Sequence, residues 1–363
     1  MINRPLSFGT DETGKKYESI IEGMKVYTAE ELKENLKKAG FEDVMIVRHE
    51  KKPWIRRAYE KIILANGEEY GYNETVMILS VGEILADIFF DENGSMSAKL
   101  GGAPFNMAVS AKRAGSVVAF SGRVGDDLLG RWLSRVAEKY GLDELSLQFD
   151  RKHDTTIAMV TVDKGERSFQ FLRKFSADYY IEIDEKAIKR ADIVHVGSLM
   201  LSEKRGRILA KKLFDKAEEE KKTISFDVNY RSDLFSSEKQ AKNAYLPFLK
   251  RADILKFSEE EIKFFTGLEA EEGVKTFKNK LVCVTLGEKG SMAYKDGVFA
   301  FCPSEKVTPV DTTGAGDAFY GAFLAGVERM GDKDPTEEDL LGILREANRI
   351  GAETTLFYGA LKS

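Results

Sequence analysis

The sequence predicts an α/β protein whose main domain is a doubly wound, mostly parallel sheet flanked by helices. Of its 363 residues, 43% are hydrophobic and 10% aromatic, which is enough to fill a sizeable core. From about residue 76 onward, short apolar runs alternate with longer helical patterns. The first of these runs, VMILSVGEILADIFF, is typical of the buried strand that opens such a sheet.

The elements follow one another in a β-α-β rhythm, which favours parallel strands connected by helices. Strands are expected at 77–81, 117–120, 157–162, 169–172, 193–196, 223–227, 253–256, 281–285 and 292–294. Helices are expected at 105–114, 128–140, 184–190, 203–221, 238–249, 259–265, 315–330, 336–345 and 346–355. Two short alternating pairs, near 88–100 and 155–173, interrupt the rhythm and predict a small antiparallel β flap, or lid.

Residues 1–75 are expected to form an N-terminal extension of unknown role. TAEE at 28–31 has the pattern of a helix start, Gly40 that of its end, and FEDVMIV at 41–47 that of a strand. This arrangement weakly resembles the last unit of class I methyltransferases, but no glycine-rich cofactor loop precedes it. An accessory appendage is therefore the favoured interpretation, and a partner-binding domain is the alternative.

The charge balance excludes several classes of function. There are 55 Lys and Arg residues against 60 Asp and Glu, a net charge of −5, so neither nucleic acid nor an anionic membrane surface is expected as a partner. Two cysteines and three histidines form no disulfide framework and no Cys/His zinc pattern. Because no apolar run is long enough for a membrane helix and no signal-peptide pattern opens the chain, a cytoplasmic location is expected.

The most informative segment is VDTTGAGDAF at 310–319, which leads into an apolar run. Gly314, Ala315 and Gly316 are small, so a ligand can approach their backbone N–H groups. A helix is expected to begin here, and a helix N-terminus offers unpaired donors and a positive dipole end. These three residues are therefore predicted to form an anion hole for phosphate.

Asp317 lies in the first turn of the same predicted helix. A carboxylate at this position can accept a proton from a hydroxyl that attacks a phosphorus atom. The alternative is that Asp317 only stabilises the helix dipole.

A second cluster, GGAPFN at 101–106, precedes another apolar helix. The paired Gly101 and Gly102 allow the backbone to contact a small polar ligand, and Asn106 offers both a donor and an acceptor to a hydroxyl group. Asp87, near the end of the first strand region, can accept hydrogen bonds from two neighbouring hydroxyls, although a turn residue is the alternative. Together these residues indicate a site for a hydroxylated ligand.

The two clusters carry a family resemblance. GGAPFNMAVSAKRAG with GRVGDD, and DTTGAGDAF, resemble the two signature regions of the ribokinase-like (PfkB) carbohydrate kinases, over about residues 76–362. FLRKFSAD, HVGSLML and FDVNYR are most similar to the bacterial fructokinases within that family. The resemblance implies the ribokinase-like fold, ATP and Mg²⁺ as cofactors, and phosphorylation of a sugar's primary hydroxyl, with D-fructose to fructose 6-phosphate as the first expectation.

The resemblance also implies a role for each matching residue. Asp317 would be the catalytic base beside an anion hole made by Gly314, Ala315 and Gly316. The sugar would be held by Asp87, Gly101, Gly102, Asn106 and Arg173. The nucleotide would contact Lys256, Thr285, Gly287, Gly290 and Asn348 together with Gly314 and Gly316, while Asn229 and Arg231 would steady the phosphates. For Lys256 and Asn229 a purely structural role at a strand end is the alternative.

The metal sites implied by the resemblance are less regular. Glu261 matches the glutamate of the family's Asn-x-x-Glu motif, which organises Mg²⁺, but Ser258 replaces the asparagine. Asp311 and Thr313 match positions that contribute to a monovalent-cation site, so K⁺ is a further implied cofactor. The sequence stops soon after Gly359, so a C-terminal contact to that cation could be incomplete.

Several alternatives remain open at this point. The substrate could be another sugar or a sugar acid such as 2-keto-3-deoxygluconate, in which case Arg173 would pair with the carboxylate. A regulator that binds sugar without turning it over is disfavoured, because the predicted base and the glycine pair are both present. The resemblance implies that a homodimer could form through the flap, since members of the family often pair there and the alternating strands at 155–173 would permit it, but the sequence alone does not set the oligomeric state. His195, after an apolar strand, is expected to be a core histidine.

Overall fold

The computed structural model describes residues 77–90, 94–163, 166–331 and 333–362, together with five short strands before residue 76. Contacts divide the chain into two compact units. The first comprises Met1–Lys51 and Ala58–Thr75, and the second comprises Val76–Ser363 with residues 52–57.

The first unit contains two small antiparallel sheets. Their strands are β1 (Leu6–Thr10), β2 (Lys16–Ser19), β3 (Met45–Arg48), β4 (Glu60–Ile63) and β5 (Glu69–Tyr70). The strand expected at 41–47 overlaps β3 only at its end. The helix expected from residue 28 to Gly40 lies outside the described residues.

The second unit alternates strands and helices along its length. The strands are β6 (Met77–Val81), β7 (Leu85–Phe90), β8 (Met96–Gly101), β9 (Val117–Gly125), β10 (Glu144–Asp150), β11 (Ile157–Asp163), β12 (Glu166–Leu172), β13 (Ile193–Val196), β14 (Thr223–Asp227), β15 (Ile254–Ser258), β16 (Leu281–Thr285), β17 (Ser291–Lys295) and β18 (Val298–Cys302). The helices are α1 (Ala103–Arg113), α2 (Leu128–Ala137), α3 (Glu185–Arg190), α4 (Lys204–Glu219), α5 (Glu238–Leu249), α6 (Glu259–Thr266), α7 (Ala270–Val274), α8 (Ala315–Met330) and α9 (Glu337–Thr354).

Nine strands of this unit form the main sheet, in the order β10-β9-β6-β13-β14-β15-β16-β17-β18. Neighbouring strands from β10 to β16 are parallel, and the last two pairings are antiparallel. The predicted doubly wound, mostly parallel sheet is therefore confirmed.

Helices cover both faces of the main sheet, as the side chains of β14 demonstrate. Successive residues of a strand point to opposite faces. The hydroxyl oxygen of Ser225 lies 2.6 Å from the Tyr320 hydroxyl of α8. The ring of the next residue, Phe226, meets Phe214 of α4 at a centroid distance of 6.0 Å. Helices α8 and α4 therefore lie on opposite sides, and α1 and α9 pack against α8.

The flap is a second sheet of four strands in the order β12-β11-β7-β8. The pairs β7-β8 and β11-β12 are antiparallel, as expected. The central pair, β7-β11, is parallel, which makes the flap a mixed sheet and not a wholly antiparallel one. Local alternation could not predict this pairing, because β7 and β11 are far apart in the sequence. Leu85, Ala158 and Leu199 form a small apolar core that includes residues of β7 and β11.

The structure differs from the predicted elements in four further places. Strands β10 and β18 and the short helix α7 were not predicted. The β10 sequence ELSLQFD is half-buried at the edge of the main sheet and so carries no continuous apolar run. The helices predicted at 336–345 and 346–355 form the single helix α9, since no proline or glycine separates them.

Two features bear on exclusions drawn from composition. Cys283 and Cys302 are both buried free thiols. Within the described ranges, none of the helices combines the length and the apolar character needed to cross a lipid bilayer.

The contact between α1 and α8 leaves no room for a side chain at Gly321. A Cβ atom built there would lie 2.3 Å from the Met107 carbonyl oxygen and 2.8 Å from the Ala111 amide nitrogen. The backbone atoms of a helix cannot move without moving the helix, so Gly321→Ala is expected to force α1 and α8 apart. The predicted result is a free energy of unfolding lower by about 1–3 kcal/mol, measured by urea denaturation.

Gly342, on the exposed side of α9, provides the matched control. Nothing lies within 4 Å of a Cβ atom built at that position. Gly342→Ala should therefore raise the free energy of unfolding by about 0.5–1 kcal/mol through helix propensity alone. Equal effects of the two substitutions would contradict the close packing of α1 on α8.

Candidate active site

The candidate site lies at the carboxyl ends of the central strands of the main sheet. From β6 the chain proceeds to β9 and β10 on one side, and only later to β13 and its neighbours on the other. In open α/β sheets, ligands bind at such a switch in strand order. Glu83 follows β6, Ser198 follows β13 and Asn229 follows β14, so their backbones meet at this edge.

The turn at Gly314 opens α8 and exposes amide donors. Gly314 has φ 75° and ψ 0°, a left-handed conformation that favours glycine, and a Cβ atom there would lie 2.3 Å from Cβ of Ala360. The Ala315 N–H donates a long bond of 3.3 Å to the Thr312 carbonyl. The N–H groups of Gly314 and Gly316 have no protein acceptor in the part of the chain that the structure describes. They are available to an anion.

Asp317 faces the same space, half-buried at the start of α8. Its Oδ2 accepts a hydrogen bond of 2.9 Å from Nδ2 of Asn106, which lies in the first turn of α1. Burial raises the pKa of Asp317, while the Asn106 hydrogen bond and the positive charges of Lys256 and Arg231 lower it, and the net effect is upward. The carboxylate is therefore a stronger base than an exposed aspartate.

Lys256 supplies a buried positive charge beside the amides. Its ammonium nitrogen lies 3.1 Å from both carboxylate oxygens of Asp227. A Cβ atom built on Gly316 would lie 3.3 Å from the same nitrogen, so the ammonium group stands against the N-terminus of α8. Burial alone would lower the pKa of Lys256, but the surrounding carboxylates, Asp227 first, raise it above its usual value. Lys256 is thus charged and close to the predicted phosphate position.

The residues predicted to hold the sugar surround the start of α1. A Cβ atom on Gly101 would lie 2.1 Å from Oδ2 of Asp87, so only glycine lets that carboxylate lie over the backbone. Gly102 has φ 114°, and a Cβ atom there would lie 2.5 Å from the Glu83 carbonyl oxygen. Asn106 is buried, and its Oδ1 has no partner among the described residues. The structure therefore brings Asp87, both glycines and Asn106 together.

Arg173 follows β12 and is almost fully buried. Its Nη2 donates to Asp178 Oδ2 at 2.5 Å and its Nε to the Tyr179 hydroxyl at 2.8 Å. Its Nη1 has no hydrogen-bond partner within the described ranges. Arg173 is therefore not a solvated surface charge, and its Nη1 group remains for a ligand.

Asn229 and Arg231 lie in the loop after β14. Asn229 is buried with φ 35°, and its N–H donates to Asp227 Oδ1 at 3.2 Å. Arg231 is exposed, yet its charge lowers the pKa of Asp317. Arg231 therefore lies within electrostatic reach of the base.

The side chain of Glu261 accepts hydrogen bonds from two backbone N–H groups. Its Oε2 accepts the Ser258 N–H at 2.7 Å in a reciprocal capping box, and its Oε1 accepts the Tyr230 N–H at 2.6 Å. Ser258, in place of the family's asparagine, is the N-cap of this box. Any action of Glu261 on a metal would therefore pass through water or through the loop that it holds.

The carboxylates near Lys256 fit a magnesium ion that arrives with a nucleotide. Among the described residues, no three His, Cys, Asp or Glu side chains gather in a way that could hold a metal by themselves. Magnesium in phosphoryl-transfer sites keeps several waters and uses one or two carboxylates plus the substrate's phosphates. Asp227, beside Lys256, would supply one such carboxylate, whereas Glu261, whose oxygens accept the Ser258 and Tyr230 N–H groups, would act through water or through the loop.

Asp311 connects the turn before α8 to the C-terminal segment. Its two carboxylate oxygens accept the N–H groups of Thr313 and Gly359, each at 2.7 Å. The Thr313 hydroxyl is buried without a partner in the described residues. The Thr313 hydroxyl oxygen is therefore available as a ligand to a cation. Both Asp311 carboxylate oxygens already accept backbone N–H groups.

The predicted nucleotide residues divide into two groups. Gly287 and Gly290, with φ 59° and 117°, shape the loop after β16, and the Thr285 hydroxyl is 3.4 Å from the Phe257 carbonyl. The amide of Asn348 is occupied: it accepts the Ser291 hydroxyl at 2.7 Å and donates to the Cys302 and Pro303 carbonyls. Asn348 can therefore shape a nucleotide wall, but its side chain is already paired with protein atoms.

The sequence analysis did not identify Glu83 as a site residue. Glu83 is 2% exposed, and its Oε2 has no hydrogen-bond partner among the described residues. The sequence carried only a general signal, a charged residue two positions after an apolar strand, where the edge of a parallel sheet binds ligands. His195, by contrast, is a core histidine as expected. Its Nδ1 is 3.1 Å from the Ser225 hydroxyl, and burial, aided by Lys256, lowers its pKa to about 3.

Amide donors at a helix N-terminus, a lysine beside them and a carboxylate in the first turn define a site suited to phosphoryl transfer onto a hydroxyl. The model of the pfkB family carbohydrate kinases matches residues 76–363. The chain therefore belongs to this family, which confirms the resemblance inferred from its two signature regions.

Relatives and solved structures agree with that assignment. Fructokinase-1 from Zea mays is 36% identical over 303 residues, which cover 79% of this chain and 94% of the maize protein. A crystal structure of fructokinase from Vibrio cholerae O395 in a fructose, ADP and calcium ion bound form has a TM-score of 0.71 at 32% identity, covering 79% of this chain and 95% of that one. A structure of fructokinase from Xylella fastidiosa with bound ATP has a TM-score of 0.71 at 26% identity, covering 78% and 93%.

Removal of the Asn106 side-chain amide is expected to shift the pH below which kcat falls. The base must be ionised to act, so kcat falls as the pH drops through the pKa of Asp317. Because the Asn106 hydrogen bond lowers that pKa, Asn106→Ala should shift the acid limb of kcat to higher pH.

Ser110→Ala is the matched control for this prediction. Ser110 donates from the next turn of α1 to the Ala318 carbonyl at 2.6 Å, so it joins the same two helices without touching the carboxylate. The control should leave the limb where it is in the wild type. An unshifted limb in Asn106→Ala would show that the hydrogen bond does not tune Asp317.

Proposed function

We propose that the protein is an ATP-dependent fructokinase that converts D-fructose to fructose 6-phosphate. The observation that carries the proposal is the half-buried carboxylate of Asp317 beside the unpaired amides of Gly314 and Gly316. The names of the relatives support the choice of sugar, because they include fructokinase-1 from maize and from rice and a protein named probable fructokinase-2 from Arabidopsis.

In the proposed reaction, Asp317 accepts the proton of the sugar's primary hydroxyl as that oxygen attacks the terminal phosphorus of ATP. The new O–P bond forms as the bond to the ADP oxygen breaks, and ADP leaves with the electron pair. The Gly314 and Gly316 amides and the Lys256 ammonium group stabilise the charge that develops on the transferring phosphoryl group.

Magnesium, when bound with the nucleotide, would neutralise part of the phosphate charge. Glu261 supports the site by fixing the Tyr230 backbone, next to Asn229 and Arg231, which we propose steady the phosphates. Thr285, Gly287 and Gly290 are proposed to line the nucleotide, with Asn348 supporting that wall. A potassium ion near Asp311 and Thr313 remains a proposal that measurement of activity with and without K⁺ would test.

Asp87, Gly101, Gly102, Asn106 and Arg173 are proposed to hold the sugar. Arg173 bears on the alternative of a sugar acid, because its charge is already balanced by Asp178 at 2.5 Å. Asp87 and Asp317 add further negative charge around the same space. A substrate carboxylate would meet more repulsion than attraction there, so the charge distribution favours a neutral sugar.

Asp317→Asn is expected to lower kcat by roughly 10²–10⁴-fold, which is the usual contribution of a general base. The KM values for fructose and ATP should change only a few-fold, because the amide keeps the size of the side chain. Steady-state kinetics with a coupled ADP assay provides the measurement.

Glu338→Gln controls for the alternative that Asp317 only stabilises a helix dipole. Glu338 is an exposed acid in the first turn of α9. Its neutralisation should cost stability without lowering kcat. Turnover of Asp317→Asn within a factor of a few of the wild type would remove Asp317 from the role of base.

The sugar is tested with a panel of hexoses, ribose, nucleosides and keto-deoxy acids. We expect fructose to give the highest kcat/KM and 2-keto-3-deoxygluconate to be turned over poorly. A higher kcat/KM for the sugar acid would overturn the assignment of fructose. Binding of sugar without ATP consumption would favour the non-catalytic regulator.

Kinase activity is proposed to reside in residues 76–363, with residues 1–75 as an appendage. A chain of residues 76–363 should therefore keep kcat and KM within about two-fold of the full chain, since every site residue named above lies in it. Loss of activity, or a change in the number of subunits measured by light scattering, would instead assign a role to the extension.

Two expectations from the sequence stay predictions. Pairing of two copies through the flap would be tested by the solution mass of the chain, with and without a charge added on an exposed flap residue such as Met96. The cytoplasmic location would be tested by fractionation of cells that express the full chain.

A further inference from the structure

Glu83 is a buried carboxyl group that the proposed mechanism leaves unused. It comes two residues after β6 and is 2% exposed. Its carbonyl oxygen lies against Gly102, the N-cap of α1, where a Cβ atom would come within 2.5 Å. The backbone of Glu83 is therefore in contact with the segment proposed to hold the sugar.

The side chain of Glu83 reaches the wall of a small cavity at the carboxyl ends of the strands. A Cβ atom on Gly197 would lie 3.0 Å from Glu83 Oε2, so glycine at that position leaves room for the carboxyl group. Gly197 lines the cavity together with Ala103, Pro104 and Asn229. The carboxyl group thus ends against a residue that lines this cavity.

The buried polar atoms without a hydrogen-bond partner within the described residues include Glu83 Oε2, Asn106 Oδ1, Arg173 Nη1 and Ser198 Oγ, and Ser198 lines the cavity. Folded proteins rarely leave such atoms unsatisfied, because each costs free energy. Glu83 interacts electrostatically with both Arg173 and Asp317, so these groups face one region. Hydroxyl groups of a polar ligand are the kind of partner that would satisfy such atoms.

The charge of Glu83 follows from its surroundings. Burial raises its pKa to about 8, with Asp178 and Asp317 adding to the increase and Arg173 opposing it. Below that pH the group is a neutral acid with one O–H donor, and above it a carboxylate without a donor. At neutral pH the protonated form therefore predominates.

We propose that Glu83 contacts the sugar directly as a neutral carboxylic acid and donates a hydrogen bond to a sugar hydroxyl. With Glu83 neutral, Arg173 is balanced by Asp178 alone, and the pocket accepts a neutral sugar without burying a new charge. A sugar acid would add an uncompensated negative charge beside Asp317. The inference rests on the proposed sugar kinase function and names the residue that sets its substrate class.

The test compares Glu83→Gln with Glu83→Ala. Glutamine keeps the size and an N–H donor at every pH, so its KM for fructose should stay within about three-fold of the wild type at pH 7. Alanine removes the donor and leaves sugar and protein atoms unpaired, so KM should rise by roughly 5- to 100-fold. In both variants kcat and the KM for ATP should change little, which separates sugar binding from catalysis and from loss of folding.

The pH dependence of KM for fructose tests whether the protonated form of Glu83 binds the sugar. The wild-type KM for fructose should rise as the pH passes about 8, the pKa of Glu83, because ionisation removes the donor. The titratable and charged groups that interact with Glu83 are Arg173, Asp178, Asp317 and the buried Tyr245, whose pKa burial raises well above its usual value. An arginine stays protonated in this range. If KM for fructose no longer rises with pH in Glu83→Gln, the rise seen in the wild type is due to Glu83.

The outcomes separate this inference from the function on which it rests. Absence of fructose phosphorylation by the wild type would overturn the fructokinase proposal. If the wild type is active and Glu83→Ala leaves the KM for fructose unchanged, the inference alone is wrong. An equally raised KM in Glu83→Gln at pH 7, or a wild-type KM that does not change between pH 7 and 9.5, would also overturn it.

Discussion

The close packing of α1 on α8 is the constraint on which the candidate site depends. Gly321 allows the approach, since a Cβ atom there would lie 2.3 Å from the Met107 carbonyl oxygen. The result is that two helix N-termini open side by side, and the amide of Asn106 reaches the carboxylate of Asp317 at 2.9 Å. The positive ends of two helix dipoles then meet at one position, which favours an anion there. The contact between the two helices thus places the start of α1, which we propose holds the sugar, beside the carboxylate and the amide donors at the start of α8.

The C-terminal segment is hydrogen-bonded both to the turn before α8 and to the flap. Asp311 accepts the Gly359 and Thr313 N–H groups, so the turn before α8 is held against residues 359–360. From the flap, Lys99 donates to the Tyr358 carbonyl at 2.8 Å. The phosphate side and the sugar side of the site therefore share an anchor.

The sequence predicted the parts of this arrangement that have local signals. Gly314 and Gly102 were identified because a glycine before an apolar helix marks close backbone approach, and both have the positive φ angles that glycine permits. What it could not predict depends on residues far apart in the chain. The parallel pairing of β7 with β11 and the use of the Asn348 amide by Cys302 and Pro303 are set by tertiary packing. Glu83 was missed because a lone acid after a strand has no spacing pattern, and only the fold brings it to Arg173 and Asp317.

The central claim is that the α8 N-terminus binds the phosphoryl group while Asp317 takes the proton of the acceptor. A crystal structure with fructose and a non-hydrolysable ATP analogue tests it most directly. We expect terminal phosphate oxygens within hydrogen-bond distance of the Gly314 and Gly316 amides, and the sugar's primary hydroxyl within roughly 2.6–3.2 Å of an Asp317 oxygen. A terminal phosphate bound away from these amides, or a hydroxyl out of reach of Asp317, would contradict the account.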